Sequence, residues 1–280
     1  MSGSATDGVI ARALAEDVGS GDVTTDAIVP ADLRGSADVV VREAGVICGL
    51  DQAFAVLREL DPEARMERLA QDGDLVSHPP QVVARMHASV RALLTGERTA
   101  LNLLQRMSGI ATTTRRYADL VAGTGVQLLD TRKTAPGLRT LDKHAVACGG
   151  GTNHRAGLHD AVLIKDNHVA VAGGVPAAIE RVRLRHPGRP VEVEVDTMAE
   201  LQQALDAGAD VILLDNMPPG QLRRAVATTA GRARLEASGG ITIDTIREVA
   251  GTGVDAISVG ALTHSVRALD IALEVPSSAS

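Results

Sequence analysis

The second half of the chain repeats one pattern, and this repeat limits the folds that it can adopt. Short β-rich apolar runs end in a polar or small residue, and four successive ends are spaced by 21, 23 and 22 positions: Glu194, Asp215, Ser238 and Gly260. Helical patterns lie between most of the runs. Repeated units of strand and helix form a parallel sheet with right-handed crossovers. The sheet is either closed into a barrel or open and doubly wound.

The number of strands in this repeat favours a barrel that is not closed. Even spacing between strand ends is more typical of a barrel than of an open sheet. A full barrel of this kind has eight strands. The sequence shows six clear β-rich runs, at 127–130, 161–165, 191–194, 211–215, 235–238 and 256–260. We therefore predict the α/β fold class, with an incomplete (β/α) barrel in this half.

The first part of the chain follows a less regular pattern. Apolar and other residues alternate across 82–88, as in a half-buried strand. A second extended run covers 37–42, and helical patterns cover 9–16 and 51–60. Strands and helices that do not alternate regularly predict a small α+β domain.

A domain boundary is predicted near Gly109. Two helical patterns, 97–107 and 111–121, flank Ser108-Gly109, and a glycine between helical segments indicates a break. The chain is accordingly divided into an N-terminal domain, a barrel that carries the active site, and a C-terminal tail that packs back on the N-terminal domain, covering 1–108, 109–267 and 268–280.

The charge and hydropathy of the chain exclude several partners. The formal net charge is −7, from 28 Lys and Arg against 35 Asp and Glu. An acidic surface does not attract nucleic acid or an anionic membrane. No stretch approaches the roughly 18 apolar residues of a membrane helix, and the N-terminus has no apolar signal core. We expect a cytoplasmic protein that binds neither nucleic acid nor membrane.

The cysteines and histidines predict no metal cage. Cys48 and Cys148 are too few for a disulfide framework and lack the paired spacing of a zinc site, so we expect two buried thiols. No two histidines form a His-x-x-x-His pair on one helix, and His168 is expected to serve the structure.

Charged residues follow the predicted strands at the points where they end. Loops at the carboxyl ends of parallel strands meet at one mouth, which is where functional groups gather. Taken singly, each residue would be a helix cap or a solvated charge. Together they place cations and two carboxylates at that mouth, namely Arg132, Lys133, His154, Arg155, Lys165, Glu194 and Asp215. Arginine pairs bidentately with carboxylates and phosphates, so this cluster predicts two anionic substrates.

Glycine-rich ends on two late strands predict a phosphate site. Ser238-Gly239-Gly240 ends one strand and opens a helical pattern, and Gly260-Ala261 ends the next in a similar way. Unhindered N–H groups at a helix start bind phosphate. Glu194 and Asp215 could hold ribose hydroxyls and Mg²⁺, the hard cation that accompanies pyrophosphate, or could simply cap helices.

Several motifs in these regions resemble one known family. They are Gly21-Asp22-Val23-Thr24-Thr25, Glu97-Arg98-Thr99-Ala100-Leu101-Asn102, Asp130-Thr131-Arg132-Lys133-Thr134, Gly149-Gly150-Gly151-Thr152-Asn153-His154-Arg155, Ile164-Lys165-Asp166-Asn167-His168, Glu192-Val193-Glu194-Val195, Leu214-Asp215-Asn216-Met217, Glu236-Ala237-Ser238-Gly239-Gly240 and Ser258-Val259-Gly260-Ala261. In this order they resemble the quinolinate phosphoribosyltransferases over nearly the whole chain.

The resemblance implies an N-terminal sandwich domain, an incomplete barrel and a homodimer or higher oligomer. Arg98 of one subunit would complete the site of its neighbour. Arg132, His154 and Arg155 would bind the quinolinate carboxylates, and Lys133 and Lys165 the phosphates of phosphoribosyl pyrophosphate. Thr131 would also bind substrate. The ribose of phosphoribosyl pyrophosphate and a metal ion would lie at Glu194 and Asp215. The 5′-phosphate of the same substrate would lie at Ser238, Gly239, Gly240, Val259, Gly260 and Ala261.

The implied reaction joins quinolinate to phosphoribosyl pyrophosphate and releases carbon dioxide, giving nicotinate mononucleotide. Lys133, Lys165, Glu194 and Asp215 would be the catalytic residues, with Mg²⁺ and no organic cofactor. Three alternatives remain open: a Schiff-base lyase that uses Lys133 or Lys165, a non-catalytic sensor of a phosphorylated metabolite, and a related phosphoribosyltransferase for another aromatic acid.

Overall fold

A computed structural model describes residues 3–275, with side chains from residue 8 onwards, so 276–280 of the predicted tail lie outside the described residues. Numbered in chain order, the helices are α1 (Gly3–Val18), α2 (Val23–Ile28), α3 (Leu50–Leu60), α4 (Val90–Val121), α5 (Arg139–Cys148), α6 (Asp166–Ala172), α7 (Val175–Arg185), α8 (Met198–Asp206), α9 (Pro219–Thr229), α10 (Ile246–Ala250) and α11 (Ala261–His264). The strands are β1 (Arg34–Val41), β2 (Gly45–Val46), β3 (Arg65–Arg68), β4 (Leu75–Val76), β5 (Gln81–Ser89), β6 (Gln127–Leu129), β7 (Val162–Ile164), β8 (Val191–Val195), β9 (Val211–Asp215), β10 (Arg234–Ser238), β11 (Ala256–Ser258) and β12 (Ile271–Glu274).

The described chain forms two compact units that interleave along the sequence. Unit 1 holds the residues up to Arg115, then Thr134–Gly150 and the residues from Ser265 on. Unit 2 holds Arg116–Lys133 and Gly151–His264. The division at residues 108 and 267 stays a prediction.

Unit 1 contains an antiparallel sheet with the strand order β12-β1-β5-β3. Val39 and Val41 of β1 and Met86 of β5 are buried, which gives the sheet an apolar face. Beyond the 39/40 position the register of β1 and β5 shifts, as at a β-bulge. Strand β12 pairs with β1, so residues 271–274 of the predicted tail lie in this sheet.

Helix α4 is continuous from Val90 to Val121, so the predicted break at Ser108-Gly109 is wrong. Ser108 is buried, and its hydroxyl donates to the Cys48 carbonyl at 3.1 Å and accepts from the Cys48 amide at 3.0 Å. At Gly109 any Cβ would collide with the carbonyl oxygen of Arg267. The small residues therefore mark close approach of other backbone to an unbroken helix.

Unit 2 contains a parallel sheet with the strand order β6-β11-β10-β9-β8-β7. Each predicted strand of the repeat is present, and residues such as Val193, Ile212 and Ile257 are buried in its core. Strands β6 and β7 are the edges of this order, so the sheet does not close among the described residues. The predicted fold class, with an incomplete barrel, is confirmed.

The connection from β8 to β9 shows why these units form locally. The Thr197 hydroxyl accepts from the Glu200 amide at 3.2 Å, and the Glu200 carboxylate accepts from the Thr197 amide at 3.1 Å. This capping box starts α8 as predicted. Gly208, with φ of +72°, turns the chain after the helix.

No helix among residues 3–275 combines the length and the hydropathy that crossing a membrane requires.

Candidate active site

Alternation along the strands of unit 2 aims side chains at one cavity. Residues two apart on a strand face the same side, so Glu192 and Glu194 of β8 form one pair and Glu236 and Ser238 of β10 another. The register places Leu213 of β9 beside Glu194 and Glu236. The strands therefore present carboxylates from neighbouring positions at their carboxyl ends.

These strand ends line a cavity of about 580 Å³, which we call the mouth cavity. Its size falls within the range of small-molecule sites. The structure brings to it most of the residues singled out by sequence, namely Thr131, Arg132, Lys133, His154, Arg155, Lys165, Glu194, Asp215, Ser238, Gly239 and Gly240. The other lining residues are Asp130, Leu163, Leu213, Asn216, Glu236 and Ser258.

A few predicted site residues lie elsewhere. Arg98 is exposed on α4 in unit 1 and does not line the mouth cavity of its own chain. Val259, Gly260 and Ala261 are also absent from the lining. Gly260 nevertheless lies close to it, since a Cβ built there would be 3.0 Å from Cδ of Lys133.

His154 is held between two acidic side chains, and we call His154, Glu192 and Glu236 the carboxylate cluster. Nε2 of His154 lies 3.3 Å from Glu192 and 3.5 Å from Glu236, both buried. The His154 amide donates to buried Asp130 at 2.7 Å, which fixes the backbone. The ring is therefore oriented by acids from two strands, while a third acid holds its backbone.

The carboxylate cluster favours a proton on His154. Hydrogen bonds with Glu192 and then Glu236 raise the pKa of His154 to about 10, although burial acts against this. Nδ1 of the same ring accepts from the Arg155 amide at 2.7 Å, which favours the neutral ring. A doubly protonated ring would have to release that amide, so the two interactions oppose each other.

Lys165 and Glu194 form an ion pair at the mouth. Nζ of Lys165 bonds to Oε2 of Glu194, and the two side chains are 43% and 9% exposed. At the start of α6 the Lys165 amide donates to Nδ1 of His168 at 2.9 Å. The ammonium group of Lys165 therefore reaches the cavity from a backbone position that His168 fixes.

The end of β10 requires glycine. Gly239 has φ of +85°, and a Cβ there would lie 2.8 Å from the Asn216 amide nitrogen. Gly240 follows with φ of +61°. The backbone can turn here and approach Asn216 only without side chains.

The predicted helix directly after Gly240 is wrong. Helix α10 begins only at Ile246, after a turn. The Thr245 hydroxyl accepts from the Thr242 amide at 3.0 Å, and this local bond stabilises the turn before the helix. By contrast, α11 does begin at Ala261, directly after Gly260.

Comparison with known proteins supplies the family. A model of the quinolinate phosphoribosyl transferase C-terminal domain matches residues 110–274, and a model of its N-terminal domain matches residues 22–108. The chain belongs to the quinolinate phosphoribosyltransferase family.

Individual members of the quinolinate phosphoribosyltransferase family are similar to this chain over most of their lengths. The nicotinate-nucleotide pyrophosphorylase [carboxylating] of Mycobacterium leprae is 48% identical over 273 residues, which is 95% of each chain. The solved nicotinate-nucleotide pyrophosphorylase of Francisella tularensis is 40% identical, with a TM-score of 0.93 over 98% of this chain and 97% of that one. The Ehrlichia chaffeensis enzyme is 38% identical, with a TM-score of 0.91 over 98% and 99%.

The amino-acid sequence alone did not identify two carboxylates that precede the strand ends of this quinolinate phosphoribosyltransferase. Glu192 and Glu236 lie two residues before Glu194 and Ser238. The period of two along a strand is the signal that would have found them, because it places each on the face of a chosen site residue. Asp130 and Asn216, next to residues chosen by sequence, also line the cavity.

Proposed function

We propose that this chain transfers the phosphoribosyl group of phosphoribosyl pyrophosphate to the ring nitrogen of quinolinate and releases carbon dioxide, giving nicotinate mononucleotide and pyrophosphate. One observation carries the proposal: a member of this family gathers two arginines, two lysines, a histidine and four carboxylates around one cavity of about 580 Å³. The Mycobacterium leprae relative is named for this activity. A cytoplasmic location is part of the proposal.

Quinolinate is proposed to bind at Arg132, His154 and Arg155. Burial lowers the pKa of Arg155, and the nearby positive charge of Arg132 lowers it further. Two cations held close together repel each other, and a dianion between them relieves that repulsion. Thr131, which also lines the cavity, is proposed to contact the same substrate.

Phosphoribosyl pyrophosphate is proposed to bind the remaining residues of the predicted site. Lys133 and Lys165 would bind its phosphates, and Ser238, Gly239 and Gly240 its 5′-phosphate, with Val259, Gly260 and Ala261 nearby. Glu194 and Asp215 would bind the ribose. Since Lys165 pairs with Glu194 here, substrate binding exchanges one ion pair for contacts of both residues with the ligand.

Mg²⁺ fits the same residues, because Glu194 and Asp215 offer carboxylate oxygens to one cavity and Mg²⁺ prefers oxygen ligands. When bound, it would neutralise charge on the pyrophosphate. No organic cofactor enters the proposal.

The chain's own residues then stabilise charge as it moves. Departure of pyrophosphate leaves positive charge on the ribose C1, which Glu194 and Asp215 stabilise, while Lys133 and Lys165 stabilise the leaving group. The pyridine nitrogen attacks C1 and becomes cationic. Loss of the adjacent carboxylate as carbon dioxide leaves its electron pair on ring carbon C2, where the positive charge of the neighbouring nitrogen stabilises it until C2 takes a proton from water, so positioning and charge neutralisation suffice.

The first test mixes purified protein with quinolinate, phosphoribosyl pyrophosphate and Mg²⁺, and follows nicotinate mononucleotide and carbon dioxide. We expect equal amounts of both products, and none with nicotinate as substrate. Product from nicotinate alone would move the assignment to another aromatic acid. Borohydride treatment with a keto substrate should leave Lys133 and Lys165 unmodified, since a trapped lysine would favour a Schiff-base lyase.

A homodimer in which Arg98 completes the neighbouring subunit's site is also proposed. It is supported by the exposure of Arg98 on α4 and its absence from the lining of its own cavity. Arg98→Ala and Lys165→Ala chains should each be inactive. When the two are co-expressed, a mixed dimer should regain activity in one of its sites, and a mixture that stays inactive contradicts the shared site.

A further inference from the structure

Four side chains with metal-binding atoms converge in unit 1, and none of them lines the mouth cavity. We call Cys48, Asp72, His144 and Cys148 the thiol cluster. Their ligand atoms all lie within 4.8 Å of one another. The expectation of two buried thiols is right for Cys48 and wrong for Cys148, which is half-buried beside His144.

Three of the six separations within the thiol cluster lie close to the edges of a tetrahedron around zinc, and the other three are within 4.8 Å. Nε2 of His144 lies 3.1 Å from Oδ2 of Asp72 and 3.5 Å from Sγ of Cys148. Sγ of Cys48 lies 3.7 Å from the same Asp72 oxygen. Ordinary Zn–S, Zn–N and Zn–O bonds in tetrahedral geometry give edges of about 3.3 Å for N to O, about 3.5 Å for N to S and about 3.6 Å for O to S.

Other bonds hold these donors in place. Oδ1 of Asp72 accepts from the amides of Gly49 and Leu50 at 3.0 and 3.2 Å, at the start of α3, while Oδ2 faces His144. His144 and Cys148 lie four residues apart on α5 and so share one face of that helix. Ligands that are fixed before the ion arrives lose little freedom on binding it.

Hydrogen bonds between members of the thiol cluster shift the pKa values of its side chains. A hydrogen bond with Cys48 and the nearby His144 lower the pKa of Cys148 to about 5. Hydrogen bonds with Asp72 and then Cys148 raise the pKa of His144 to about 10. A hydrogen bond with Cys148 and burial raise the pKa of the Cys48 thiol. The donor atoms therefore lie close enough to hydrogen-bond to one another, as the ligands of one small ion must.

We propose that the thiol cluster is a structural site for one Zn²⁺ ion, with Cys48, Asp72, His144 and Cys148 as its four ligands. Zn²⁺ takes the place of protons: it binds cysteine as the thiolate and histidine as the neutral ring, and the protons that it displaces pass to water. Sulfur ligands select zinc over the hard ion Mg²⁺. The side chain of His144 is 28% exposed, which gives the ion a route of entry.

Bound zinc would link segments that are distant in sequence. Cys48 precedes α3, Asp72 lies between β3 and β4, and the other two ligands end α5. A tie between such segments adds stability only in the folded state, since the unfolded chain does not hold the four ligands together.

The test is a Zn²⁺ titration of the full chain, reduced and stripped of metal, against a chromophoric chelator in excess Mg²⁺, which occupies oxygen sites. We expect one equivalent of Zn²⁺ per chain and a higher melting temperature. Cys148→Ser and His144→Gln should each weaken binding by at least about 100-fold. The matched control, His78→Gln, changes an exposed histidine outside the cluster and should bind as the wild type does.

Absorption spectroscopy with Co²⁺ provides a second test on the same proteins. Co²⁺ should give thiolate charge-transfer and tetrahedral absorption bands in the wild type and lose the charge-transfer band in Cys148→Ser. Circular dichroism should show that both variants remain folded. Failure of the wild type to bind a stoichiometric ion would overturn the proposal, as would equal affinity in all variants.

Discussion

The carboxylate cluster of unit 2 and the thiol cluster of unit 1 use similar charges with different ligand atoms. Each holds a histidine whose pKa is raised to about 10 by an acidic neighbour. His154 has carboxylates at 3.3 and 3.5 Å and lines a cavity of about 580 Å³, whereas His144 has one carboxylate and a thiol. The two rings thus differ in the atoms around them, carboxylate oxygens at His154 and both oxygen and sulfur at His144.

The proposed function places catalysis at the mouth cavity. The strongest test of this proposal removes one of the cations that line the cavity. Arg132→Ala should lower kcat/KM with quinolinate by at least about 1000-fold, because a buried carboxylate of the substrate would lose its charged partner. Circular dichroism should be unchanged. The control Arg223→Ala removes an exposed arginine on α9 of the same unit, 3.6 Å from Glu248, and should keep full activity. Unchanged kinetics in Arg132→Ala would falsify the assignment.

A substitution in the carboxylate cluster tests whether Glu236 affects quinolinate binding through His154. Glu236→Gln should lower the pKa of His154, since it removes one of the two acids that raise it. We expect the KM for quinolinate to rise by about 10-fold with little change in the KM for phosphoribosyl pyrophosphate. NMR titration of the His154 ring measures the first effect and steady-state kinetics the second. If the KM rises while the ring titrates as in the wild type, Glu236 does not act through His154.

A backbone change tests the turn at the cavity. Gly239→Ala should reduce the free energy of unfolding by about 1–2 kcal/mol and raise the KM for phosphoribosyl pyrophosphate, because φ is +85° and a Cβ would crowd Asn216. Gly220 lies in α9 with open space around it, so Gly220→Ala should be neutral or slightly stabilising. Urea unfolding compares the two, and equal stabilities would show that the turn tolerates a side chain.

The smallest effect is expected in the metal-free thiol cluster. The folded pKa of His144, about 10, lies above its ordinary value of 6.5. Its stabilisation is therefore complete below about pH 6.5 and is lost as the pH rises through about 10. With chelator present, His144→Gln should cost about 1 kcal/mol near pH 6.5 and much less above pH 10, at unchanged activity. A cost that grows with pH contradicts this sign.

Sequence predicted the features of the fold that local chemistry decides. The strands of unit 2 and the capping box of Thr197 and Glu200 need only neighbouring residues, and both are confirmed. Gly109 was misread because its role depends on backbone at Arg267, far along the chain. A glycine pattern alone does not distinguish a helix break from a close contact.

The same distinction applies to the sites. Many residues of the mouth cavity, such as Lys165, Asp215 and Ser238, lie at or next to the end of a predictable strand, so their meeting place follows from the repeat. The thiol cluster draws on positions 48, 72, 144 and 148, and a spacing rule connects only 144 with 148, on one face of α5. The thiol cluster forms only in the folded chain, where α5 lies close to the loop around Asp72.

The pairing of β12 with β1 has a consequence for synthesis of the protein. Strand β1 is made early, yet its partner covers residues 271–274. While the ribosome completes the intervening chain, that edge of β1 keeps its amide and carbonyl groups without their final partner, as a ready template for another nascent chain. Premature termination before Ile271 would leave the edge open for good, so quality control should remove such products quickly.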